Sequence, residues 1–497
     1  MSSTAIFSLL DLRQLEHHAQ AAGLDLMEQA GQAIEDWVLR HITLGARLLV
    51  VAGPGNNGGD ALNAARRLIA SGFLVDIVLP QTIRSPLSQR QHDRLSADAI
   101  PLLQTLPNVN PGWSLIIDGL FGIGLKHDLD IKWTTFIEQL NQLNVTILSL
   151  DTPSGLDPWT GTPVNTCIRA HYTLTFLCYK PGLFMGEGVD LAGHIELAQL
   201  NCFPLSAPKA EGELNTDTTI AHSLRRKCDS HKGTYGAVII EGGAPGMTGA
   251  ALLAGRAALS VGAGKVQVKL LSDGLMIDPL YPELMVCTQP NDTYQTGAVL
   301  AIGPGLGQSD RAAERLTQAL ASSHPLIIDA DALNLIALFP SLATPLAQRP
   351  CMTVMTPHPT EAARLLETDT RTVQRARLSA ARKLAQKFNA IVVLKGAGTL
   401  IVRPDGYFRI NVSGNPALAT AGQGDVLTGL IAGLWAQKLT AFDAASLAVN
   451  IHGLASDTYV ETAQGPIGLT ASETIRRVSD ELNPLLSQKL TVDHTIK

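Results

Sequence analysis

Glycine-rich loops that follow a buried strand and lead into a helix recur along this chain. In the first such unit, the apolar strand Arg47–Ala52 leads through G-P-G-N-N-G-G-D into a helix predicted over residues 61–71, and another strand follows at 73–79. Neighbouring parallel strands need a helical crossover of this kind, whereas tight hairpins join antiparallel strands. Loops at the carboxyl ends of parallel strands converge on the ligand. The sequence therefore predicts α/β domains whose sites lie in the loops that follow the strands.

The size and composition of the chain restrict the classes of protein to which it can belong. Its 497 residues exceed what one hydrophobic core usually holds, so we expect two large domains or three of ordinary size. A formal charge of −6 gives no general attraction to nucleic acid or to an anionic membrane. The 6 cysteines lack C-x-x-C spacing, which predicts reduced thiols rather than a zinc site or a disulfide framework. Because the N-terminal segment lacks a signal-peptide pattern and no run approaches about 18 apolar residues, we expect a cytoplasmic protein without a membrane span.

Acidic residues mark the ends of the predicted strands in the first half of the chain. Asp60 closes the first glycine loop, Asp118 ends the strand L-I-I, and Asp151 and Ser154 follow the strand V-T-I-L-S-L. Each aspartate alone would be an ordinary turn residue. Together, at the carboxyl ends of strands in one sheet, they predict a single polar site.

The first glycine loop also fits a dinucleotide-binding fingerprint. Residues 53–58 satisfy G-x-G-x-x-G, and Asp76 lies at the distance expected of the ribose-binding acid. This alternative predicts a dehydrogenase that binds an oxidised cofactor. Pro54 and Asp60 argue against it, because proline stiffens the turn and a carboxylate there would repel a pyrophosphate.

Three motifs of this half, N-N-G-G-D, D-G-L-F-G-I-G-L and D-T-P-S-G-L-D, resemble in order those of the NAD(P)H-hydrate epimerase domain. The resemblance covers most of residues 1–205 and implies a Rossmann-like three-layer α/β/α sandwich that binds a nicotinamide cofactor hydrated at C6, with Asp151 as the acid/base. The implied ligands of K⁺ are Asn57, Asp118 and Ser154. The implied substrate-binding residues are Asn56, Asn57, Gly58, Gly59, Asp60, Gly122, Ile123, Gly124, Leu125, Lys126, His127 and Asp128. Ala61 stands where the family usually has glycine, and Lys126 where arginine is common.

A second domain is predicted over residues 222–490, after a polar linker at 206–221. Within it, N-P-A-L-A-T-A-G-Q-G-D-V-L-T-G places Gly422 and Gly424 just before an apolar-periodic run. A glycine loop at a helix N-terminus exposes unpaired N–H groups and favours phosphate. Asp425 beside such a loop suggests a general base for phosphoryl transfer to a hydroxyl, although aspartate is also a common N-cap.

Polar residues also follow the other predicted strands of this domain. Asp329 and Asp331 follow the strand L-I-I, and Lys395 begins K-G-A-G-T between two strands of a predicted hairpin. His358 lies in T-P-H-P-T-E, where we expect Thr360 to cap the next helix. Each residue has an ordinary interpretation as a loop or cap residue. Their recurrence at strand ends favours an active site above a rigid sheet.

The second half resembles the ADP-dependent NAD(P)H-hydrate dehydratase domain of the ribokinase-like superfamily. The resemblance rests on G-G-A-P-G-M-T-G-A, G-P-G-L-G, D-A-D-A-L-N, T-P-H-P-T-E, V-L-K-G-A-G-T and the Gly422–Asp425 motif. It implies Asp425 as the catalytic residue and Mg²⁺ bound with ADP. The implied nucleotide-binding residues are Lys395, Gly396, Ala397, Gly398, Thr399 and Gly424. The implied substrate-binding residues are Ala250, Gly307 and His358.

Both resemblances in one chain imply a bifunctional hydrate-repair enzyme. An epimerase would interconvert the R and S forms of NAD(P)H hydrate at C6, and an ADP-dependent dehydratase would return the S form to NAD(P)H with release of AMP and phosphate. The expected partners are the hydrates of NADH and NADPH and ADP, without nucleic acid or membrane, and we expect a homo-oligomer. The alternatives are a ribokinase-like small-molecule kinase with an N-terminal ligand-binding module, and a non-enzymatic N-terminal partner domain.

Overall fold

The computed structural model describes residues 4–107, 110–125, 127–202, 209–288 and 294–487. Contacts divide the chain into two compact units, Met1–Glu213 and Leu214–Lys497. The linker predicted at 206–221 includes a short strand, Gly212–Leu214, and the start of a 3₁₀ helix, Thr219–Leu224.

The first unit is built on a seven-stranded parallel sheet. Its strands are β2 (Arg47–Ala52), β3 (Leu74–Val78), β4 (Leu102–Leu103), β5 (Leu115–Gly119), β6 (Ile147–Leu150), β7 (Tyr172–Phe176) and β8 (His194–Ala198), in the order β4-β3-β2-β5-β6-β7-β8. A further strand, β1 (Ala5–Ile6), pairs antiparallel with β9 (Gly212–Leu214). The helices are α1 (Leu9–Ala21), α2 (Leu26–His41), α3 (Asn56–Ala70), α4 (Pro86–Ala97), α5 (Ile131–Gln142) and α6 (Gly188–Leu191).

Alternate residues of β2 supply two separate hydrophobic cores. Leu48 and Val50 pack with α1, α2 and α3 on one face of the sheet, whereas Leu49 and Val51 pack with α5 on the other. A strand whose side chains are buried on both faces reads as a continuous apolar run, which is why R-L-L-V-V-A predicted it. The first unit is therefore a three-layer α/β/α sandwich with a Rossmann-like parallel sheet, as the sequence implied.

The second unit has strands β10 (Ala237–Gly242), β11 (Lys265–Leu270), β12 (Met285–Cys287), β13 (Val299–Ile302), β14 (Leu326–Ile328), β15 (Thr353–Met355), β16 (Ile391–Leu394), β17 (Leu400–Val402) and β18 (Phe408–Ile410). They follow the order β18-β17-β16-β15-β14-β13-β10-β11-β12, parallel except where β17 pairs with β16 and β18. The predicted hairpin around K-G-A-G-T is thus confirmed.

Ten helices surround this sheet in the described part of the unit: α7 (Thr248–Ser260), α8 (Asp310–Ala321), α9 (Ala330–Leu338), α10 (Ala343–Ala347), α11 (Pro359–Leu365), α12 (Thr370–Arg375), α13 (Arg377–Phe388), α14 (Gln423–Ala436), α15 (Ala441–Ala463) and α16 (Ala471–Ser487). Helices α7 and α14 pack closely because small residues face each other: a Cβ on Gly429 would lie 2.0 Å from the carbonyl oxygen of Ala254. The α/β architecture that the sequence implied for this unit, with a mostly parallel sheet, is confirmed.

No described helix has by itself the length and hydropathy of a membrane span. Within the described residues, α9 and the following Pro340–Ala347 reach that length and hydropathy as a pair, which is bent by 107°.

Candidate functional site

The first site is a cleft of about 800 Å³ in the first unit, at the carboxyl ends of β2, β5 and β6. The predicted residues that line it are Asn56, Asn57, Asp60, Gly122, Ile123, Gly124, Leu125, His127, Asp128 and Asp151. Lys126 lies outside the described residues. The three loops predicted to converge therefore meet at one cavity.

The N-N-G-G-D segment is helical rather than a loop, because α3 begins at Asn56 and not near residue 61 as predicted. Its glycines permit close packing: a Cβ on Gly58 would lie 1.9 Å from the carbonyl oxygen of Gly53, and one on Gly59 would lie 2.5 Å from Ser88 Oγ. Asn57 donates from Nδ2 to the carbonyl oxygens that follow β5 and end β6, Phe121 O and Leu150 O, each at 3.1 Å. This side chain thus ties three strand ends together.

Asp118 lies beneath the cleft, fully buried, and accepts four hydrogen bonds. Its Oδ1 accepts from Ser154 Oγ (2.6 Å) and Leu120 N (3.2 Å), and its Oδ2 accepts from Ser149 Oγ (2.8 Å) and Ser154 N (3.0 Å). Burial raises the pKa of Asp118, and these hydrogen bonds oppose the rise. No basic side chain forms an ion pair with it in the described residues. The unpaired charge, with nearby hydroxyl and amide oxygens, fits an oxygen-coordinated cation.

Asp151 reaches the cleft from a left-handed backbone conformation with φ of 65°. Its carboxylate pairs with Lys180 Nζ, and Oδ1 also accepts from Phe176 N at 3.2 Å. Lys180 is 1% exposed and uses its remaining donors on Thr175 Oγ1 (3.0 Å) and Phe176 O (2.6 Å). Strained backbone at a non-glycine residue, held by such a network, is typical of a functional position.

Two further carboxyl groups of the cleft, Asp60 and Glu16, have raised pKa values. Burial, reinforced by the charge of Asp151, raises the pKa of Asp60 well above its usual range. Burial also raises the pKa of Glu16, which lines the same cleft. The cleft therefore combines Asp151, paired with an ammonium, with Asp60, whose pKa is raised.

The dinucleotide alternative fails at Asp76. Its carboxylate forms a bidentate pair with Arg47 (2.7 and 2.8 Å) and accepts from Trp113 Nε1 at 2.7 Å. The Arg47 guanidinium lowers the pKa of Asp76 accordingly. An acid committed to its own strand neighbours has a structural role here and does not line the cleft.

The second site begins at the N-terminus of α14 in the second unit. Gly422 adopts φ of 85° and, as glycine, offers no capping side chain. The first bond of the helix runs from Val426 N to Gly422 O at 3.0 Å. The N–H groups of Gln423, Gly424 and Asp425 therefore have no partner within the helix, which is the geometry of an anion site.

Charged residues that follow three neighbouring parallel strands lie near this helix end. Asp329 follows β14, Glu361 lies in α11 after β15, and Lys395 follows β16. Lys395 Nζ lies 3.0 Å from Asp329 Oδ1 and 4.0 Å from Glu361 Oε2. A Cβ on Gly424 would lie 3.3 Å from the same ammonium, so Lys395 stands directly beside the anion site.

The carboxylates of this cluster have unusual proton affinities. Burial raises the pKa of Asp425 to about 7, the charge of Asp329 adds to the rise and Lys395 opposes it. Burial also raises the pKa of Glu361 to about 7, again opposed by Lys395. Asp329, in contrast, is fixed by hydrogen bonds from Lys395 and from Thr428 Oγ1 (2.7 Å). A carboxyl group that titrates near neutral pH suits general-base catalysis.

His358 is the N-cap of α11, so the prediction that Thr360 caps this helix was wrong. His358 Nδ1 accepts from Thr360 N (3.1 Å) and Glu361 N (3.4 Å), while Glu361 Oε2 accepts from His358 N (2.8 Å). Because Nδ1 accepts, the ring proton belongs on Nε2, 3.3 Å from Glu361 Oε1. Burial and Lys395 lower the pKa of His358, and its half-exposed ring remains available to a substrate.

The loop Lys395–Thr399 turns at two glycines with positive φ, Gly396 (130°) and Gly398 (63°), and exposes Ala397. Beneath it lies Arg377, 1% exposed, which donates to Leu394 O (3.3 Å) and Lys395 O (3.2 Å). A Cβ on Gly396 would lie 2.9 Å from Arg377 Nη1. The loop therefore packs on a buried guanidinium. Burial lowers the pKa of Arg377 to about 10.

The remaining predicted substrate residues lie where the G-P-G-L-G loop meets the start of α7. Gly307 N donates to Asp331 Oδ2 at 2.9 Å, and Gly307 adopts φ of 73°. A Cβ on Gly305 would lie 3.1 Å from Ala250 Cβ, so this loop and Ala250 are neighbours.

The sequence interpretation missed Lys180, Glu361 and Arg377 as site residues. Lys180 lies just after β7 in Y-K-P-G, which was a detectable strand-end signal. Glu361 has the spacing of a capping box with His358. This spacing gives the charge of Glu361 an ordinary structural explanation, so the sequence alone did not indicate a site residue. Arg377 gave no signal, because it is the first residue of α13 and lies far from the loop in the sequence.

Comparison with known proteins agrees with the division into two sites. A family model described as NAD(P)H-hydrate dehydratase matches residues 237–478, and one described as YjeF-related protein N-terminus matches residues 23–182. The Bifunctional NAD(P)H-hydrate repair enzyme Nnr of Coxiella burnetii is 34% identical over 97% of this chain and 100% of its own length. The protein of that name from Escherichia coli K12 is also 34% identical, over 96% of this chain and 94% of its own.

Among solved structures, the chain is similar to the ADP/ATP-dependent NAD(P)H-hydrate dehydratase of Bacillus subtilis, co-crystallized with ATP/Mg²⁺. Sequence identity is 30%, the match covers 52% of this chain and 92% of that one, and the TM-score is 0.44.

Proposed function

The chain belongs to the family of bifunctional NAD(P)H-hydrate repair enzymes, and from this premise we propose how its two sites divide the chemistry. It is an NAD(P)H-hydrate epimerase, which interconverts the R and S forms at C6, and an ADP-dependent dehydratase, which returns the S form to NAD(P)H with release of AMP and phosphate. The assignment of residues to each reaction is our proposal. It assigns epimerisation to residues 1–205 and dehydration to residues 222–490.

Epimerisation is proposed to occur in the cleft of the first unit. C6 carries the hydroxyl and is bonded to the ring nitrogen, whose lone pair can assist loss of the hydroxyl as water. Asp60, whose pKa is raised, would donate the proton to the departing hydroxyl. Asp151 would accept a proton from the water that returns on the opposite face. Asn56, Asn57 and the Gly122–Asp128 segment would bind the cofactor, with Gly58 and Gly59 allowing the close approach of α3.

We assign a K⁺ ion to Asn57, Asp118 and Ser154. The carboxylate of Asp118 is buried without a cationic partner in the described residues, and all three side chains supply the hard oxygen atoms that an alkali cation prefers. A bound K⁺ would compensate the buried charge and fix the loops after β2, β5 and β6.

Dehydration is proposed to begin by phosphoryl transfer from ADP to the C6 hydroxyl. Asp425 would accept the hydroxyl proton, and the N–H groups at the start of α14 would hold the transferred phosphoryl group. Loss of phosphate from C6 and of a proton from C5 then restores the double bond of NAD(P)H. Lys395–Thr399 and Gly424 would bind the nucleotide, and Ala250, Gly307 and His358 the hydrate. Mg²⁺, bound with ADP, would neutralise phosphate charge.

The observation that carries this proposal is the uncapped N-terminus of α14 beside a carboxyl group with a pKa of about 7. The test mixes the full chain with both epimers of hydrated NADH, Mg²⁺ and ADP, and follows the near-ultraviolet absorbance of reduced nicotinamide. We expect full recovery with the wild type, none with Asp425→Asn and a slow second phase with Asp151→Asn. The exposed Asp310→Asn is the matched control and should behave as wild type.

Two outcomes would contradict the proposal. Failure to recover absorbance with either ADP or ATP would remove the repair chemistry. A stable phosphorylated product without NADH would favour the small-molecule kinase.

We also propose that the enzyme acts in the cytoplasm, without nucleic acid or membrane, as a homo-oligomer. The cysteines among the described residues are all free thiols, which supports a reducing compartment. Met276, Ile277 and Leu280 are more than half exposed near the edge strand β12, which supports self-association. Sedimentation equilibrium of the purified chain would test this, and a monomer at micromolar concentration would refute it.

A further inference from the structure

Gln423, the first residue of α14, is buried although its backbone N–H is one of the three at the anion site. Its side-chain amide lies among three polar groups. Nε2 lies 3.3 Å from Thr420 Oγ1 and 3.0 Å from Thr474 Oγ1, and Oε1 lies 3.1 Å from His452 Nε2. His452 belongs to α15 and is 8% exposed. The side chain that begins the anion site is thus held from three directions.

The direction of each hydrogen bond in this group can be assigned by following the protons. Thr420 Oγ1 donates to Leu469 O (3.1 Å), and Thr474 Oγ1 donates to the carbonyl oxygen of Thr470 (3.2 Å). Because each hydroxyl has one proton, both must accept from Gln423, which orients its Nε2 toward them. Gln423 Oε1 is therefore an acceptor, and His452 Nε2 must carry the proton.

We propose that His452 is a positioning residue of the dehydratase site, which fixes Gln423 and thereby the N–H groups that hold the phosphoryl group. Burial and the charge of Lys395 lower the pKa of His452 to about 4, so the ring is neutral at physiological pH. A neutral imidazole donates from Nε2 without adding a second cation to the field of Lys395. This inference rests on the proposed function of the Gly422–Asp425 motif.

The arrangement explains why a buried glutamine begins a helix at a phosphate site. Gly422 lies at φ of 85° and does not fix its own conformation, because glycine adopts positive and negative φ about equally readily. Gln423 follows Gly422, and its side chain is anchored by hydrogen bonds. This anchoring limits the motion of the loop. Removing the His452 donor would leave Gln423 Oε1 buried without a partner, and the amide would have to move to find one.

The test compares His452→Leu, which removes the donor, with His452→Gln, whose amide can supply one from a similar position. Binding of Mg²⁺–ADP to the full chain is measured by titration calorimetry, without any hydrate, so that failure of the repair chemistry cannot mimic failure of this inference. We expect about tenfold weaker nucleotide binding for His452→Leu and recovery to within about threefold of wild type for His452→Gln. His324→Gln is the matched control: this histidine lies before β14, at the opposite strand end from Asp329, and should leave ADP binding unchanged.

A structural role alone would lower stability equally in both His452 variants without separating their nucleotide affinities, and that result would overturn the proposal. Wild-type affinity in His452→Leu would overturn it as well. If the leucine variant does not fold, ¹⁵N-histidine NMR of the wild-type chain decides, with the signal assigned by its loss in His452→Gln. A ring protonated on Nε2 supports the inference, and a ring protonated on Nδ1 alone refutes it.

Discussion

Replacing Asp425 with asparagine should stabilise the second unit while abolishing the dehydratase activity. The pKa of Asp425 is raised to about 7 by burial and by Asp329, against an ordinary value of 3.8. The folded state therefore binds the proton more tightly than the unfolded chain does. With this sign, the contribution of Asp425 to the free energy of unfolding is most favourable below about pH 4 and is lost as the pH rises toward about 7.

The size of the effect follows from the shift. A difference of about three pKa units, at about 1.4 kcal/mol each, gives an upper limit of about 4 kcal/mol. Local relaxation and water around a partly accessible carboxylate reduce this limit, so we expect about 1–3 kcal/mol at pH 8. Asparagine has nearly the same shape and carries no charge, so the variant escapes the cost of the buried ionised group.

The assay is chemical unfolding of the full chain at pH 4.5, 6 and 8, conditions chosen to span the titration at about pH 4 to 7. Because the chain has two units, its unfolding curve can contain two transitions. The transition to follow is the one that Mg²⁺–ADP shifts in the wild-type protein. The advantage of Asp425→Asn should be small at the lowest pH and should grow as the pH rises. A pH-independent difference, or an asparagine variant less stable than wild type at pH 8, would refute the reasoning. Asp310→Asn, exposed in the same unit, should show no such trend.

Three further outcomes are expected. Lys180→Met removes the ammonium that holds Asp151, so epimerisation should slow by about a hundredfold, seen as the slow phase of recovery from mixed epimers, while the S form alone reacts at the normal rate. Lys395→Met removes the cation that lowers the pKa of Asp425, so the acid limb of the residual kcat/KM against pH should move to higher pH. Arg377→Met leaves two carbonyls of the nucleotide loop unpaired, so KM for ADP should rise about tenfold, with partial recovery in Arg377→Lys.

Strands buried on both faces were the most predictable part of the fold. The predicted strands Arg47–Ala52 and L-I-I before Asp329 agree with β2 and β14, because each contains an apolar run that ends at glycine or a charged residue. Because the site loops follow the carboxyl ends of these strands, predicting the strands also predicted the positions of the loops. Helix starts were less predictable: N-N-G-G-D was assigned to a loop since it is rich in glycine and asparagine, yet tertiary packing against Gly53 makes it helical.

Pairing between distant charges was not predictable from the sequence. Lys180 meets Asp151 because β6 and β7 are neighbours in register, and no local pattern encodes that proximity. Likewise, Asp329 and Lys395 are separated by β15, so their contact depends on the order of three strands. Motif resemblance named the segment that contains Lys395, but not the carboxylates that its ammonium contacts.

The two sites use a lysine ammonium in opposite ways. In the first unit, Lys180 pairs directly with Asp151, the proposed base, and fixes its position. In the second unit, Lys395 donates its hydrogen bond to Asp329. Its ammonium acts on Asp425 only by electrostatic attraction, which opposes the rise in the pKa of Asp425. Had Lys395 paired with Asp425, the carboxylate would have been a weaker base, because a direct salt bridge stabilises the ionised form. The neighbouring Asp329 thus keeps Asp425 basic enough to take a proton from a hydroxyl while leaving a cation beside the phosphate.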